Sequence, residues 1–180
     1  MKRILFATSA LTLLLVGLPA HAAEMKGGLG FHSPAFPIGI RHWMSDQYAI
    51  DLGLGFDTNN DKFESAGLST EDKHNSFGFD VGIPIVLKKW DRVRLEGRPG
   101  FEFATSKHEP PAAASVTVTS MQISGELEVE IMLMDNVSIS ASHGIAYLNQ
   151  HDDQDPKETF TEFTTTGNDF TTLGFHIYLW

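Results

Sequence analysis

The sequence predicts an all-β fold, a single barrel of eight antiparallel strands connected up and down. Segments of roughly ten residues place apolar side chains at every second position, which is the pattern of a strand with one apolar face. Short and long links between these segments alternate along the chain. The composition agrees, since 16 glycines and 13 phenylalanines accompany no sustained helical periodicity after the N-terminal region.

The N-terminus has the features of an export signal. Lys2 and Arg3 precede an apolar run over 4–18, and Ala20-His21-Ala22 forms a small-residue cleavage site. The apolar run is shorter than the roughly 20 residues that a membrane-spanning helix needs. We therefore expect residues 1–22 to be a signal peptide and residues 23–180 to form one exported domain without a spanning helix. The chain has no cysteine, so no disulfide holds this domain together.

Five segments carry one clean apolar face each: 48–56, 77–87, 93–103, 121–133 and 137–147. In 121–133, for example, Met121 and Ile123 share one face, and Glu126, Glu128 and Glu130 share the other. Three further segments, 24–33, 36–44 and 168–180, alternate less regularly and complete the eight strands. Because successive side chains of a strand point to opposite sides, the sheet is predicted to have one apolar face and one polar face.

The links between the strands predict the topology. Tight turns are expected at 45–47, 88–92 and 134–136, whereas the polar links 57–75, 107–114 and 150–167 are long and 33–35 is short. Pairing across each tight turn keeps the apolar residues on one side, although a slip of one residue would reverse the face. This pattern is typical of a transmembrane β-barrel with short periplasmic turns and longer extracellular loops.

Aromatic residues and charge support the same location. The aromatic residues beside the tight turns and the C-terminus are Trp43, Tyr48, Trp90, Tyr178 and Trp180. We expect them to form an aromatic girdle at the periplasmic interface of the outer membrane. The formal charge of -10 disfavours nucleic acid as a partner, because nucleic-acid-binding proteins present a basic face.

The eight alternating strands, the rhythm of turns and loops, and the aromatic C-terminal strand resemble the small outer-membrane β-barrels typified by the transmembrane domain of OmpA and by OmpX. The resemblance implies a monomer in contact with outer-membrane lipids and lipopolysaccharide. It also implies that the assembly machinery recognises the C-terminal strand and that this strand pairs with the first. Leu173, Phe175, Ile177 and Leu179 lie on the opposite parity from Trp180. We expect this odd-numbered set to face lipid.

The polar parity predicts a charged interior, because eight strands enclose only enough room for side chains. The inward charges are Lys26, Arg41, Asp51, Asp80, Arg94, Glu96, Arg98, Glu102, Glu126, Glu128 and Glu130. Strand pairing is expected to place Arg41 opposite Asp51, and Arg98 near Glu126 or Glu128. Inward glycines, at positions 28, 53, 55, 78, 82, 100 and 144, are expected to make room for the long charged side chains. The main interpretation is a salt-bridged plug, and the alternative is a narrow cation-preferring channel.

No cofactor or metal site is predicted. Residues 57–61 begin like a calcium loop, but Lys62 and Leu68 stand where an EF-hand needs Gly and Glu. The acidic stretch 151–155 is interpreted as a solvated loop.

We also expect no enzymatic activity, although a lipid A-modifying barrel enzyme is an alternative. His42 and His143 have the outward parity, but no serine lies two positions from either on the same face. The long links 57–75 and 150–167 are candidates for binding an extracellular partner. The strands are expected to continue into 116–118 and 160–165, with a bulge near Thr119 and Ser120. A last alternative is a soluble periplasmic barrel of the lipocalin type, which has an apolar interior.

Overall fold

The fold is described from a computed structural model over residues 26–65, 68–111, 114–154, 157–165 and 171–180. The predicted signal peptide, 1–22, lies outside these residues. In the described part of the chain, no helix is long and apolar enough to cross a membrane.

The described chain forms ten strand segments in a single antiparallel sheet. They are β1 Gly27–Phe31, β2 Ile38–Trp43, β3 Ala49–Ser65, β4 Leu68–Gly82, β5 Ile85–Lys89, β6 Val93–Glu109, β7 Val116–Met134, β8 Val137–Asp152, β9 Glu158–Thr164 and β10 Thr171–Tyr178. The sheet closes on itself because β10 pairs with both β8 and β1. β4 and β5 form one interrupted barrel strand along β6, and β9 and β10 form another along β8. The predicted eight-stranded antiparallel barrel is therefore confirmed.

The C-terminal strand closes the barrel as expected. β1 and β10 pair in register from Gly28 opposite Tyr178 to Phe31 opposite Phe175. Beyond the last strand, the Gly27 amide donates to the Trp180 carbonyl at 2.6 Å. The backbone groups of β1 and of the C-terminal strand are thereby paired, which leaves no open edge in this part of the sheet.

Pro84 separates β4 from β5. Proline has no amide hydrogen and cannot continue a strand ladder as a donor. The Pro84 carbonyl instead accepts from the Ala49 amide at 2.9 Å, and the Ile83 amide donates to the Pro99 carbonyl at 3.0 Å. The interrupted strand therefore stays in the sheet on both sides of the proline.

Most of the residues that were expected to form long loops belong to strands. β3 and β4 pair continuously up to Ser65 opposite Leu68, so the predicted loop 57–75 is a β-hairpin that extends the barrel. The predicted continuations are confirmed at 116–118 and over Phe160–Thr164. The predicted bulge is wrong: Thr119 and Ser120 pair in register, and the irregularity of β7 lies between Met132 and Met134. Outside the apolar band of the barrel wall, burial no longer determines whether odd-numbered or even-numbered positions carry apolar side chains.

The two faces of the barrel differ sharply in chemistry. Large apolar side chains project outward, as shown by Ile123 at 61% exposed and Leu127 at 58%. On the inward face of the same barrel, Arg41 and Glu128 are both completely buried. In β10, Leu173 is 63% exposed and His176 is 1% exposed, so the odd-numbered set faces outward as predicted. A lipocalin-type barrel has the opposite arrangement, and that alternative is wrong.

The predicted aromatic girdle is wrong for two of its five members. Trp43 and Tyr178 point into the barrel, where they pack with Ala49 and with partly buried Val86 and Met132. The reason is parity, since Trp43 follows buried Arg41 by two residues and Tyr178 follows buried His176 by two. These five residues form an apolar floor at the end of the barrel that holds the tight turns, called here the turn end. Of the other predicted girdle residues, Tyr48 and Trp90 are exposed on the outer wall, and Trp180 is half-buried beside Gly27.

Candidate functional site: the charged interior

Arg41 lies at the centre of the buried charges. The β2–β3 register places it directly opposite Asp51, as predicted. Its guanidinium donates to Asp51 through Nε at 2.7 Å and Nη2 at 2.8 Å, and Nη2 also donates to Glu128 at 3.0 Å. Nη1 lies 3.4 Å from Glu130 and 3.6 Å from Glu96. One guanidinium thus contacts carboxylates from three different strands.

Arg98 forms the second half of the network. Its Nε donates to Asp51 at 3.2 Å, and its Nη2 donates to Asp80. Its Nη1 donates to Glu126 at 3.4 Å, which confirms the expected proximity across the β6–β7 pair. Since Asp51 accepts from both Arg41 and Arg98, the two halves form one connected network.

His32 joins this network from the link between β1 and β2, and it is not among the predicted interior charges. Its Nε2 lies 2.9 Å from Glu126 Oε2 and its Nδ1 lies 3.4 Å from Glu128 Oε2. The side chain is 2% exposed. The signal that was available is parity, because His32 continues the inward series of Gly28 and Gly30.

Hydroxyl groups supply further hydrogen bonds to the buried carboxylates. Glu126 accepts from Ser124 Oγ at 2.9 Å and from Ser142 Oγ. Glu130 accepts from Ser138 Oγ at 2.6 Å and from Tyr178 Oη at 2.7 Å. These hydroxyl groups thus supply hydrogen bonds to the carboxylate oxygens without adding charge to the interior.

Acids outnumber bases inside the barrel. Among the described residues, six carboxylates are buried, Asp51, Asp80, Glu96, Glu126, Glu128 and Glu130, against two guanidiniums, Arg41 and Arg98. Half-buried Arg94 adds a contact of 3.5 Å to Glu130 and stacks over the Trp43 ring at 4.4 Å. Both carboxylate oxygens of Glu96 and Oε2 of Glu128 have no hydrogen-bond partner in the described part of the chain. Buried charge of this kind needs neutralisation by protons or by cations.

Two of the predicted interior charges lie at the edge of the network. Lys26 is exposed at the turn end of the barrel and has no ion pair with any described residue. It precedes β1, so its long side chain reaches solvent instead of the interior. Glu102 pairs with Asp80 in register, is half-buried, and forms no ion pair within the described ranges. The other predicted charges, from Arg41 to Glu130, lie together.

Residues of the first link close the opposite end of the barrel, called here the loop end. Phe36 is 6% exposed, and Cβ atoms built on Gly53 and Gly78 would lie 3.0 and 2.8 Å from its side chain. These two glycines make room for Phe36 instead of for a charged side chain. The expected role holds at Gly82, where a Cβ atom would overlap the Arg98 guanidinium, and at Gly100, where it would lie 3.0 Å from Arg98 Nη1.

A polar cavity of about 480 Å³ lies beside this closure. Its walls include Ser33 and Pro34 of the first link, Glu102 of β6, Gln122 of β7 and Thr172 of β10. Ser33 and Pro34 directly follow His32, and Thr172 Oγ1 lies 3.3 Å from His32 Nε2. The cavity therefore borders the buried charges on the side of the loop end.

The strand extension at the loop end carries exposed charged groups. Glu71 accepts from the Asn60 side-chain amide at 2.7 Å and lies 3.1 Å from Lys73 Nζ, and both contacts lower the pKa of its carboxyl group, the Asn60 hydrogen bond most. His108 Nε2 lies 2.8 Å from Asp72 Oδ1. This surface therefore presents charged groups of both signs.

The outward His143 contacts a hydroxyl group on the neighbouring strand. His143 is exposed, and its Nδ1 lies 3.2 Å from Thr171 Oγ1, a hydroxyl that the sequence analysis did not consider because it lies on the neighbouring strand. Within the described ranges, no carboxylate is hydrogen-bonded to the His143 ring. A catalytic base is normally oriented by such a third group.

Comparisons with known proteins give one structural likeness. No family model matches the chain, and no curated protein matches it. The fold is similar to the crystal structure of a major outer membrane protein from Thermus thermophilus, with a TM-score of 0.42 and 16% sequence identity. The match covers 87% of this chain and 99% of that chain. A likeness at this level says nothing about what the chain does, and the resemblance to the OmpA and OmpX barrels stays a prediction beyond the shared architecture.

Proposed function

We propose that this chain is an integral outer-membrane β-barrel that anchors an external strand extension and has a closed, charge-filled interior. The single observation that carries the proposal is the inverted exposure of the barrel. Large apolar side chains such as Leu52 and Leu54 are 44% and 48% exposed, whereas Arg41 and Arg98 are at most 1% exposed. Water does not favour such an apolar wall, but the hydrocarbon of a bilayer does, and a closed barrel pairs its backbone groups there.

A closed interior favours an anchoring role over a conducting one. At the turn end, Trp43 and Tyr178 fill the barrel, and Trp43 Nε1 donates to Tyr178 Oη at 3.3 Å. In the middle, Arg41 reaches from β2 to Glu128 on β7, and Arg98 reaches from β6 to Asp51 on β3. At the loop end, Phe36 covers the charges. An ion would have to displace all three layers, so the narrow cation channel is the weaker interpretation.

The strand extension at the loop end is the part that would meet external partners. The hairpin of β3 and β4, together with β9, projects beyond the closed interior and carries exposed polar and aromatic groups, including Phe160 at 52% and Phe163 at 67% exposed. Segments carried by a rigid scaffold are frequent sites of recognition. We propose lipopolysaccharide and an extracellular partner as the occupants of this surface, and assembly factors as readers of the C-terminal strand.

Fractionation combined with surface proteolysis tests the location. The protein is expected in the outer-membrane fraction, with slower migration on a denaturing gel after heating and protease cleavage in intact cells within 57–75 or 150–167. Release with the soluble periplasmic proteins would refute the proposal.

Conductance and lipid assays separate the remaining roles. The purified protein is expected to give no stable current steps in planar bilayers. Steps that disappear in Glu128→Ala would instead support the cation channel.

Acyl release from purified lipid A is expected to be absent, and release that is lost in His143→Ala would support the enzyme.

A further inference from the structure

We propose that His32, Asp51 and Glu128 form a site for one divalent transition-metal ion of the zinc class inside the barrel. Ligand atoms of these three residues all lie within 4.8 Å of one another, and all three residues are buried. Imidazole and carboxylate groups are suitable ligands for zinc and for neighbouring divalent metals. The site lies inside the barrel and does not depend on membrane insertion, so its test and the fractionation experiment fail independently.

The distance between two of the ligand atoms fits a tetrahedral ion. His32 Nδ1 and Glu128 Oε2 face each other in a long ion-pair contact of 3.4 Å, and neither atom has a hydrogen-bond partner among the described residues. Two ligands that each lie about 2.1 Å from a tetrahedral metal are about 3.4 Å apart. The side chains of His32 and Glu128 are 2% and 0% exposed. Two buried atoms that face each other at this separation, too far apart for a good hydrogen bond, therefore point to a common ligand between them.

The other atoms of these residues are held in the way that metal ligands usually are. His32 Nε2 lies 2.9 Å from Glu126 Oε2, so a proton on Nε2 leaves the Nδ1 lone pair free for the metal. Arg41 Nη2 donates to Glu128 Oε1 at 3.0 Å and leaves Oε2 free. Asp51 is oriented by Arg41 and Arg98 and keeps further lone pairs on its oxygens.

The charge of the interior favours a cation at this position. Arg41 and Arg98 lie close to the site, and on their own they would repel a metal ion. The six buried carboxylates outnumber these two guanidiniums, however, and Glu96 and Asp80 contribute further negative charge nearby. A divalent ion reduces this surplus of negative charge by two, and it therefore lowers the free-energy cost of burying the carboxylates.

The loop-end cavity borders the link that carries His32. Its walls include Ser33 and Pro34, which follow His32 in the chain, and the half-buried carboxylate of Glu102. Because His32 belongs to the link between β1 and β2, binding of the ion would also tie this link to β3 and β7. Movement of the link would open the site at the loop end.

The test uses the full-length folded protein in detergent micelles, stripped of metal with a chelator and then titrated with Zn²⁺ or with Co²⁺ as a spectroscopic probe. We expect about one Zn²⁺ per chain by elemental analysis and visible Co²⁺ absorption bands of tetrahedral type. His32→Gln is expected to weaken binding at least about tenfold, and Glu126→Gln about 10- to 100-fold as the residue that orients His32. His143→Gln, an exposed histidine on the outer wall, is the matched control and is expected to bind like the wild type.

A measurement on the unmodified chain guards against misfolded variants. The ¹⁵N resonance of His32 Nδ1 in the wild-type protein is expected to shift when Zn²⁺ is added. The proposal would be overturned if the protein bound no stoichiometric Zn²⁺. It would also be overturned if His32→Gln bound Zn²⁺ as well as the wild type, or if the Nδ1 resonance did not change. Either of these last two results would assign the bound ion to exposed histidines.

Discussion

Replacing Arg41 by methionine removes the guanidinium on which the buried network depends. Its four carboxylate contacts, to Asp51, Glu128, Glu130 and Glu96, range from 2.7 to 3.6 Å. Removing one partner of a buried ion pair costs about 3–5 kcal/mol, because the other charge is left uncompensated. Methionine retains most of the side-chain volume, so little of this cost comes from a cavity.

The surface pair of Arg92 and Asp135 provides the matched control. Its closest atoms are 3.9 Å apart, and the two side chains are 58% and 94% exposed. Exposed pairs contribute about 0–1 kcal/mol, so Arg92→Met is expected to leave stability nearly unchanged. Arg41→Lys should lie between the wild type and Arg41→Met, because lysine keeps the charge but not the two-pronged contact with Asp51.

Urea-induced unfolding in detergent micelles measures the difference, with tryptophan fluorescence and gel mobility as two probes of the folded fraction. A loss of about 3 kcal/mol lowers the folding equilibrium constant by about 150-fold. If Arg41→Met unfolds within about 1 kcal/mol of the wild type, the network does not stabilise the barrel, and the interpretation of a structural plug is wrong.

Two further substitutions test how the barrel is filled, with the same unfolding assay. Gly144→Ala should destabilise the fold by about 1–3 kcal/mol, because its Cβ atom would overlap the backbone of the neighbouring strand. The control is Gly125→Ala, whose Cβ atom would meet its nearest atom only at 4.0 Å and which should be close to neutral. Equal effects of the two substitutions would contradict the strand packing. Phe36→Ala should lower the free energy of unfolding by about 3 kcal/mol and make the first link accessible to protease. Phe160→Ala should lower it much less, because the Phe160 side chain is 52% exposed. If Phe36→Ala behaves like the wild type, the first link does not close the barrel.

Alternation along the chain was enough to predict the barrel and most of its interior. Each strand places Arg41, Asp51, Arg98 and the glutamates of β7 on one parity, and closing the sheet brings that parity together. The predicted proximity of Arg41 to Asp51, and of Arg98 to Glu126 or Glu128, follows from strand register, which places Arg98 opposite Glu126. Register is a local property, because the tight turns and the apolar pattern determine it.

The errors have a different origin. Trp43 and Tyr178 were expected at the outer wall because aromatic residues concentrate at membrane interfaces, but both have inward parity and form the floor. Residue type was given more weight than position. His32 and Phe36 lie inside the predicted strand segments 24–33 and 36–44, but the predicted interior contained neither of them. In the structure β1 ends at Phe31 and β2 begins at Ile38, so both residues belong to the link that folds into the barrel, where both are buried.

What the sequence alone determined is the architecture: eight strands, their faces and their pairings, since a period of two residues and the links between strands encode them. Only the tertiary structure decided what meets inside the barrel. His32 and Glu126 are 94 residues apart in the chain, and Arg41 and Glu128 are 87 apart. Such contacts depend on barrel closure, side-chain rotamers and the folding-in of the first link, none of which leaves a pattern in the neighbouring residues. The candidate metal site exists only at that level, because its three ligands come from three separate parts of the chain.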